Sequence, residues 1–460
     1  MMIKTRRDFL RASVKSVAAL GAMSGFGRIG ALAAGGSGYQ ALVCIFLAGG
    51  NDGHNTVVPM STAGYAQYKS ARQGLAIAQG SLLPIANGTT PYGLHPSMPA
   101  LQSLYNQGHA AVVANVGNLV MPFSSVAQYK SASTNSSANV PLALFSHSDQ
   151  TSQWQSGSPG ETLPNGWGGR MIDALDSGGA NSGASFPAIA STGGCGLFCT
   201  GVNNMPASVP PPYSSGGAPT GVVGLNTGVV GPAAANALPA LMSFDNGVQL
   251  VTAANGVLTR GNQYATTLSN LLKTNQVSTS FPANNALAAQ LLTVANVISV
   301  RAELGITRQI FFCQLGGFDT HGDQLATQQQ LLGLLSQALG AFYQAMSDMG
   351  LANSVTAFTA SEFGRSLQPS GSDGSDHGWT NHHFVVGGAV QGGRFYGSFP
   401  SMAIGSSTDD ATGRGVFIPG TSIAQYGATL AQWFGVGSGS MASVFPNIGQ
   451  FSQQNLGFLG

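Results

Sequence analysis

Ala41-Leu-Val-Cys-Ile-Phe-Leu47 is an uninterrupted apolar run that stops at Ala48-Gly-Gly-Asn-Asp-Gly-His-Asn55. A run this short and without alternation reads as a strand buried on both faces, and the glycines, Asn, Asp and His after it read as a polar loop. The pattern recurs. Gln309-Ile-Phe-Phe-Cys-Gln-Leu315 gives way to Gly316-Gly-Phe-Asp-Thr-His321, and Val355-Thr-Ala-Phe358 to Thr359-Ala-Ser-Glu-Phe-Gly-Arg365, with Asp373, Asp376 and His377 just beyond. Residues 110–116, 186–190 and 384–386 are further strand-like runs, and residues 98–108, 167–175, 286–304 and 323–349 carry helical patterning. In the last of these, Leu331, Leu334, Leu335, Leu339, Phe342, Tyr343 and Met346 form an apolar stripe suited to packing on a sheet. The expected fold class is α/β, a mostly parallel central sheet with helices on both faces. In such sheets ligands bind beyond the carboxyl ends of the strands, so these polar loops should converge.

Charge is scarce. The 460 residues hold 17 Lys and Arg against 16 Asp and Glu, 7% together beside 43% hydrophobic residues, with a mean hydropathy of +0.14. Hydrophobicity this high at a formal charge of +1 excludes a disordered chain. So few basic residues cannot build the cationic face that nucleic acid requires, and no nucleic-acid partner is expected. No apolar run reaches the roughly 18–20 residues of a membrane span.

Thr5-Arg-Arg-Asp-Phe-Leu10, a weakly apolar stretch and Ala31-Leu-Ala33 read as a twin-arginine export signal over residues 1–33. Its partner would be the twin-arginine export machinery, and the destination periplasmic or extracellular. The signal holds six of the basic residues and one acid, so residues 34–460 would carry about −4. They read as one α/β domain with a Pro/Gly-rich insertion at about 200–245, marked by Pro210-Pro-Pro212. Cys195 and Cys199 could close a small loop as a disulfide or stay free; Cys44 and Cys313 lie in apolar runs and are expected to be buried.

Asp52, Asp319, Asp323, Glu362, Asp373 and Asp376 place six of the 15 acids outside the signal on three loop regions. Unpaired carboxylates collected in one cleft would repel one another, and a bound cation is the simplest way to keep them charged. Taken singly each could cap a helix, as Asp319 or Asp323 would for residues 323–349. Asp319 with His321 offers a carboxylate and imidazole set suited to zinc, manganese or iron. A divalent ion there would polarise a phosphoryl or sulfuryl oxygen and acidify a bound water. Arg365 could hold an anionic oxygen or only balance the acids. Phe145-Ser-His-Ser-Asp149 precedes a helix start, where a hydroxyl can act as nucleophile or merely cap. His147 reads as ligand or general acid, and His95 as structural.

Taken together, Phe46-Leu-Ala-Gly-Gly-Asn-Asp-Gly-His-Asn-Thr-Val-Val-Pro59, His95-Pro-Ser-Met-Pro-Ala-Leu101, Ser146-His-Ser-Asp149, Gly166-Trp-Gly-Gly-Arg170, Gly317-Phe-Asp-Thr-His321, Ser361-Glu-Phe-Gly-Arg365, Asp376-His-Gly378 and Val385-Val-Gly-Gly388 resemble the family catalogued as domain of unknown function 1501. That resemblance implies kinship with the alkaline phosphatase and sulfatase superfamily, and hence an alkaline phosphatase-like fold. It implies that Asp52 matches the metal-binding Asp at the end of the first strand, that Asp319 and His321 match an Asp and His after a later strand, and that His377 matches the last ligand His. Thr359-Ala-Ser-Glu-Phe363 departs from the superfamily's Thr-Ala-Asp-His, with Glu362 and Phe363 where Asp and His would stand. No Cys-x-Pro-Ser-Arg occurs, so sulfatase chemistry through a modified cysteine is not implied. Ser146 is the first choice of nucleophile, with Ser148 and Thr56 as alternatives.

The expected function is an exported, metal-dependent hydrolase of phosphate or sulfate esters, acting on an anionic small-molecule or glycan ester. One or two divalent ions (Zn²⁺, Mn²⁺, Ca²⁺ or Mg²⁺) would be held by Asp52, Asp319, His321, Glu362, Asp376 and His377, with Ser146, His147 and Arg365 catalytic. The alternative is a secreted, non-catalytic binding or assembly protein on a degenerate phosphatase-like fold, suggested by the altered Glu362-Phe363 motif.

Overall fold

The computed structural model describes residues 38–135, 139–161, 163–194, 196–211, 237, 240, 248–371, 373–405, 409 and 412–460. The export signal, Cys195 with its pairing, and most of the expected insertion lie outside the described residues.

β1 (Gln40–Ala48) is the axis of the molecule. Successive strand residues point to opposite faces. Ala41, Val43, Ile45 and Leu47 enter one core, with Leu291 and Val294 of the helix Ala286–Ser299 and Leu335 and Leu339 of the helix Gln324–Asp348. Leu42, Cys44 and Phe46 enter the other, with Met171 of the helix Trp167–Ser177 and Leu430 of the helix Ile423–Trp433. Helices therefore cover both faces, which is why the run shows no polar alternation.

The other strands are β2 (Val57–Pro59), β3 (Leu83–Asn87), β4 (Thr90–Leu94), β5 (Ala110–Gly117), β6 (Ile189–Ser191), β7 (Ala207–Ser208), β8 (Arg308–Gly316), β9 (Val355–Ala360), β10 (Arg365–Pro369), β11 (Ser375–His377), β12 (Asn381–Val386), β13 (Phe395–Tyr396) and β14 (Thr421–Ser422). The main sheet has the order β13-β5-β12-β9-β1-β8-β6-β7, with β14 beside β5. β2, β4 and β3 form a small separate sheet, and β10 with β11 another.

β1 runs parallel to β8 and β9, and β6 parallel to β8 and β7. β12 runs antiparallel to both β9 and β5, so the sheet is mixed there rather than parallel throughout. Between β9 and β12 the described residues form only the β10–β11 pair and no helix. Without a crossover helix the chain returns in the opposite direction. β6 is shorter than the expected run 186–190, because Pro187 has no N–H to give a ladder and pairing starts only after it. Among the described residues no helix is long and apolar enough to cross a membrane.

Register brings Ala48 beside Gly316 and Phe46 beside Ala360, so β1, β8 and β9 end together. Gly49 has φ +119°, and a Cβ there would fall 2.3 Å from the Asp319 backbone nitrogen. A glycine is required for the loops after β1 and β8 to touch.

Candidate metal centre

Asp319, on the loop after β8, is the hub of the site. Its Oδ1 accepts from Arg365 and lies 3.1 Å from His321 Nε2 and 3.3 Å from His377 Nε2. Its Oδ2 is 3.5 Å from His147 Nε2. Ligand atoms of His147, Asp319 and His377 all fall within 4.8 Å of one another, and His321 Nε2 is 3.0 Å from His377 Nε2.

The rings are held from behind. His147 opens the helix His147–Ser156, and its Nδ1 lies 3.0 Å from Glu362 Oε1, which also accepts from the Gly49 N–H at 2.8 Å. A carboxylate only accepts, so the His147 proton sits on Nδ1 and the Nε2 lone pair faces Asp319. His377 closes β11, and its Nδ1 donates to the Phe145 carbonyl at 2.7 Å. Phe145 is in the left-handed region at φ +76°, an uncommon conformation for a bulky residue, and so turns that carbonyl toward the ring. The buried Phe363 ring packs on His147 and His377 at 4.8 and 4.5 Å between centroids. The departure noted in the sequence thus places an apolar wall where a ligand would have stood.

Burial lowers the His377 pKa, helped by Arg365 and His147 and opposed by the Phe145 carbonyl and Asp319, which favours a neutral ring with a free lone pair. Burial alone would raise the Asp319 carboxyl, but its hydrogen bond and charge pairing with Arg365, with His321 and His147 beside it, bring it below its usual value. Imidazoles whose inner nitrogens turn on an ionised carboxylate, with the outer nitrogens of His147 and His377 hydrogen-bonded, are a donor set of the kind that suits a divalent transition metal.

Four of the expected site residues have other partners. Arg365 is buried; Nε donates to the Gly50 carbonyl at 2.9 Å, Nη1 to Ser375 at 3.0 Å, and Nη2 to Gly49 at 2.6 Å, to Phe318 at 3.1 Å and to Asp319. It joins three segments and balances Asp319, with its bonds directed at the protein interior. Glu362, expected as a ligand, holds His147 instead. Asp376 gives Oδ2 to Arg414, while its Oδ1 lies 3.9 Å from His321 Nδ1, on the side of that ring away from Nε2.

Asp52, matched above to a metal ligand, is buried in an ion pair with Arg72; it also accepts from Gln324 Nε2, and from the His54 N–H at 3.0 Å as cap of the helix Gly53–Thr56. Asp52→Ala is expected to cost about 3–5 kcal/mol of folding stability, because it strands the Arg72 charge in the interior. Urea unfolding of the two proteins measures this.

Ser146 is half-buried beside His147 in the chain, its Oγ donating to Asp149 Oδ2 at 2.5 Å and lying 3.2 Å from Ser148 Oγ. Thr56 is buried and donates to the Asp52 carbonyl at 2.7 Å, so it stands aside from the cage. Asp323 occupies the N-cap position of the helix Gln324–Asp348 at φ +46° without a side-chain cap bond. His95 is buried, with Nδ1 accepting from the Ser97 N–H at 3.1 Å. Sequence reasoning missed Arg72, Gln324 and Arg414, none of which belongs to a motif with a chemical signature, and the part played by the Phe145 carbonyl.

A family model described as "Protein of unknown function (DUF1501)" matches residues 39–414. The chain belongs to this family. No curated protein matches it. The DUF1501 chain is similar to the lipoteichoic acid synthase LtaP of Listeria monocytogenes at 9% identity and TM-score 0.32, over 88% of this chain and 74% of that one. It is similar to the zinc complex of the C-terminal periplasmic domain of EcEptC from Escherichia coli at 10% identity and TM-score 0.32, over 87% and 84%. The PsFucS1 sulfatase of Pseudoalteromonas sp. matches at 7% identity and TM-score 0.32, over 83% and 69%. The strand order, not these overlaps, defines the fold of the DUF1501 chain.

Proposed function

We propose that this DUF1501 chain is an exported, metal-dependent hydrolase of phosphate or sulfate esters. One divalent ion would be held by His147, His321 and His377 through Nε2 and by Asp319. The reading rests on one observation: imidazole nitrogens from three separate segments meet on one carboxylate, two of them with Nδ1 tied to an acceptor. A cage with three nitrogens suits Zn²⁺ or Mn²⁺ better than Ca²⁺ or Mg²⁺, which favour oxygen. Such an ion, when bound, polarises an ester oxygen and acidifies water.

The chain's own residues do the rest. Glu362 and the Phe145 carbonyl fix the ring tautomers, Arg365 keeps Asp319 charged and in place, and Phe363 closes one side to water. Ser146 is the nucleophile of this reading, with Asp149 at hydrogen-bond distance to take its proton. The same contact favours a second reading, a non-catalytic binder, because it already occupies the hydroxyl.

Calorimetric titration of chelator-stripped protein with Zn²⁺ or Mn²⁺ is expected to give one site. The loaded protein should turn over at least one ester in a panel of phosphate and sulfate mono- and diesters, and Ser146→Ala should lose that turnover. An absence of metal binding would sink both the cage and the hydrolase; binding without turnover would favour the binder.

A further inference from the structure

Beside the cage lies a cavity of about 370 Å³, small for a ligand pocket and of a size for one ring with its substituents. His321 and His377 form the wall shared with the cage, Phe145 and Val416 give apolar surface, and Asp376 with Arg414 supplies the charge. Since Arg365 is sealed in the interior, Arg414 is the guanidinium that lines this cavity. It is 40% exposed, with Nη1 donating to Asp376 and Nη2 to the Pro369 carbonyl at 2.8 Å. These bonds position the side chain while leaving it unspent, because a guanidinium has about five N–H donors.

The location of Arg414 decides what it can bind. Asp376, its partner, approaches His321 on Nδ1, whereas the cage uses Nε2. Arg414 therefore stands across the His321 ring from the cage, behind the position of an ester's reacting oxygens. An ester held at the cage would extend its leaving group into the cavity, along Phe145 and Val416, with the far end at Arg414.

We propose that the cavity receives the leaving group and that Arg414 binds a second anionic group carried on it, a carboxylate, sulfate or phosphate. The preferred substrate class is then an ester with a compact, ring-sized leaving group bearing its own negative charge. This inference rests on the hydrolase reading of the cage.

The test uses the zinc-loaded protein and two non-hydrolysable probes, phenylphosphonate and 4-carboxyphenylphosphonate, with binding measured by calorimetry and zinc content measured on every variant. The carboxylate is expected to tighten binding about tenfold, the size of a charge-assisted hydrogen bond in a half-open site. In Arg414→Gln the two probes should bind equally, and Arg414→Lys should keep part of the preference. Equal binding of both probes to the wild type, or an undiminished preference in the glutamine variant, overturns the inference alone. Failure of both probes to bind zinc-loaded protein overturns the ester reading and the inference with it.

Discussion

Asp319→Asn is expected to abolish stoichiometric zinc uptake while leaving the chain folded. Asp319 is the group on which all three imidazoles converge, and the amide that replaces it is neutral and a poor ligand. The fold should survive because the amide oxygen can still accept from Arg365, whose other donors end on the Gly49, Gly50, Phe318 and Ser375 carbonyls. Glu362→Gln makes the contrast. Its carboxylate touches His147 from outside, and loss of such a supporting charge typically weakens metal binding about 10–100-fold. Asp319→Asn should exceed that, with affinity down by more than about 100-fold and turnover lost with it. Calorimetric titration with zinc, alongside near-ultraviolet circular dichroism of each variant, reads both effects. Unchanged zinc affinity in Asp319→Asn would remove the cage from the account, whatever the turnover.

That ranking also separates what the sequence could reveal from what it could not. The convergence of the loops after β1, β8 and β9 was legible because a strand buried on both faces must be continuous and apolar, and a parallel sheet gathers its polar strand ends on one side. The roles of the acids on those loops were not. Asp52 and Asp319 follow their strands in the same way, yet one faces Arg72 in the interior and the other faces three histidines at the surface. What distinguishes them is Arg72, remote from either motif and unmarked by spacing. Glu362 looked like a ligand because carboxylates bind metals, but its Oε1 is shared between the Gly49 N–H and His147 Nδ1. The antiparallel β12 was hidden for a related reason, since direction depends on whether a crossover helix precedes a strand, and apolar periodicity does not report it.

The largest stability effect should come from acid. His54, His382 and His383 are fully buried, and none is part of the cage. Burial lowers all three, His54 and His383 to about 3, with Arg72 adding to the effect at His54 and with His54 and His383 adding to it at His382. His54 Nδ1 and His382 Nε2 have no hydrogen-bond partner, so a proton arriving at His54 Nδ1 would be a buried donor without an acceptor. Below pH 6.5 the unfolded chain protonates these rings and the folded one does not, so stability is full above that pH and falls as pH drops toward 3. His54 and His383 should each cost about 2 kcal/mol by pH 5, together about 4 kcal/mol, with His382 acting in the same direction, a large share of the whole stability of many domains. The slope should appear between pH 6.5 and 4, before most carboxylates titrate. Urea midpoints measured across pH 7 to 5 should fall steeply, and His383→Phe, which keeps an aromatic ring against Tyr426, should make that fall clearly shallower. A flat profile over that range would mean that the folded protein protonates these rings as readily as the unfolded chain does, and would overturn the expectation.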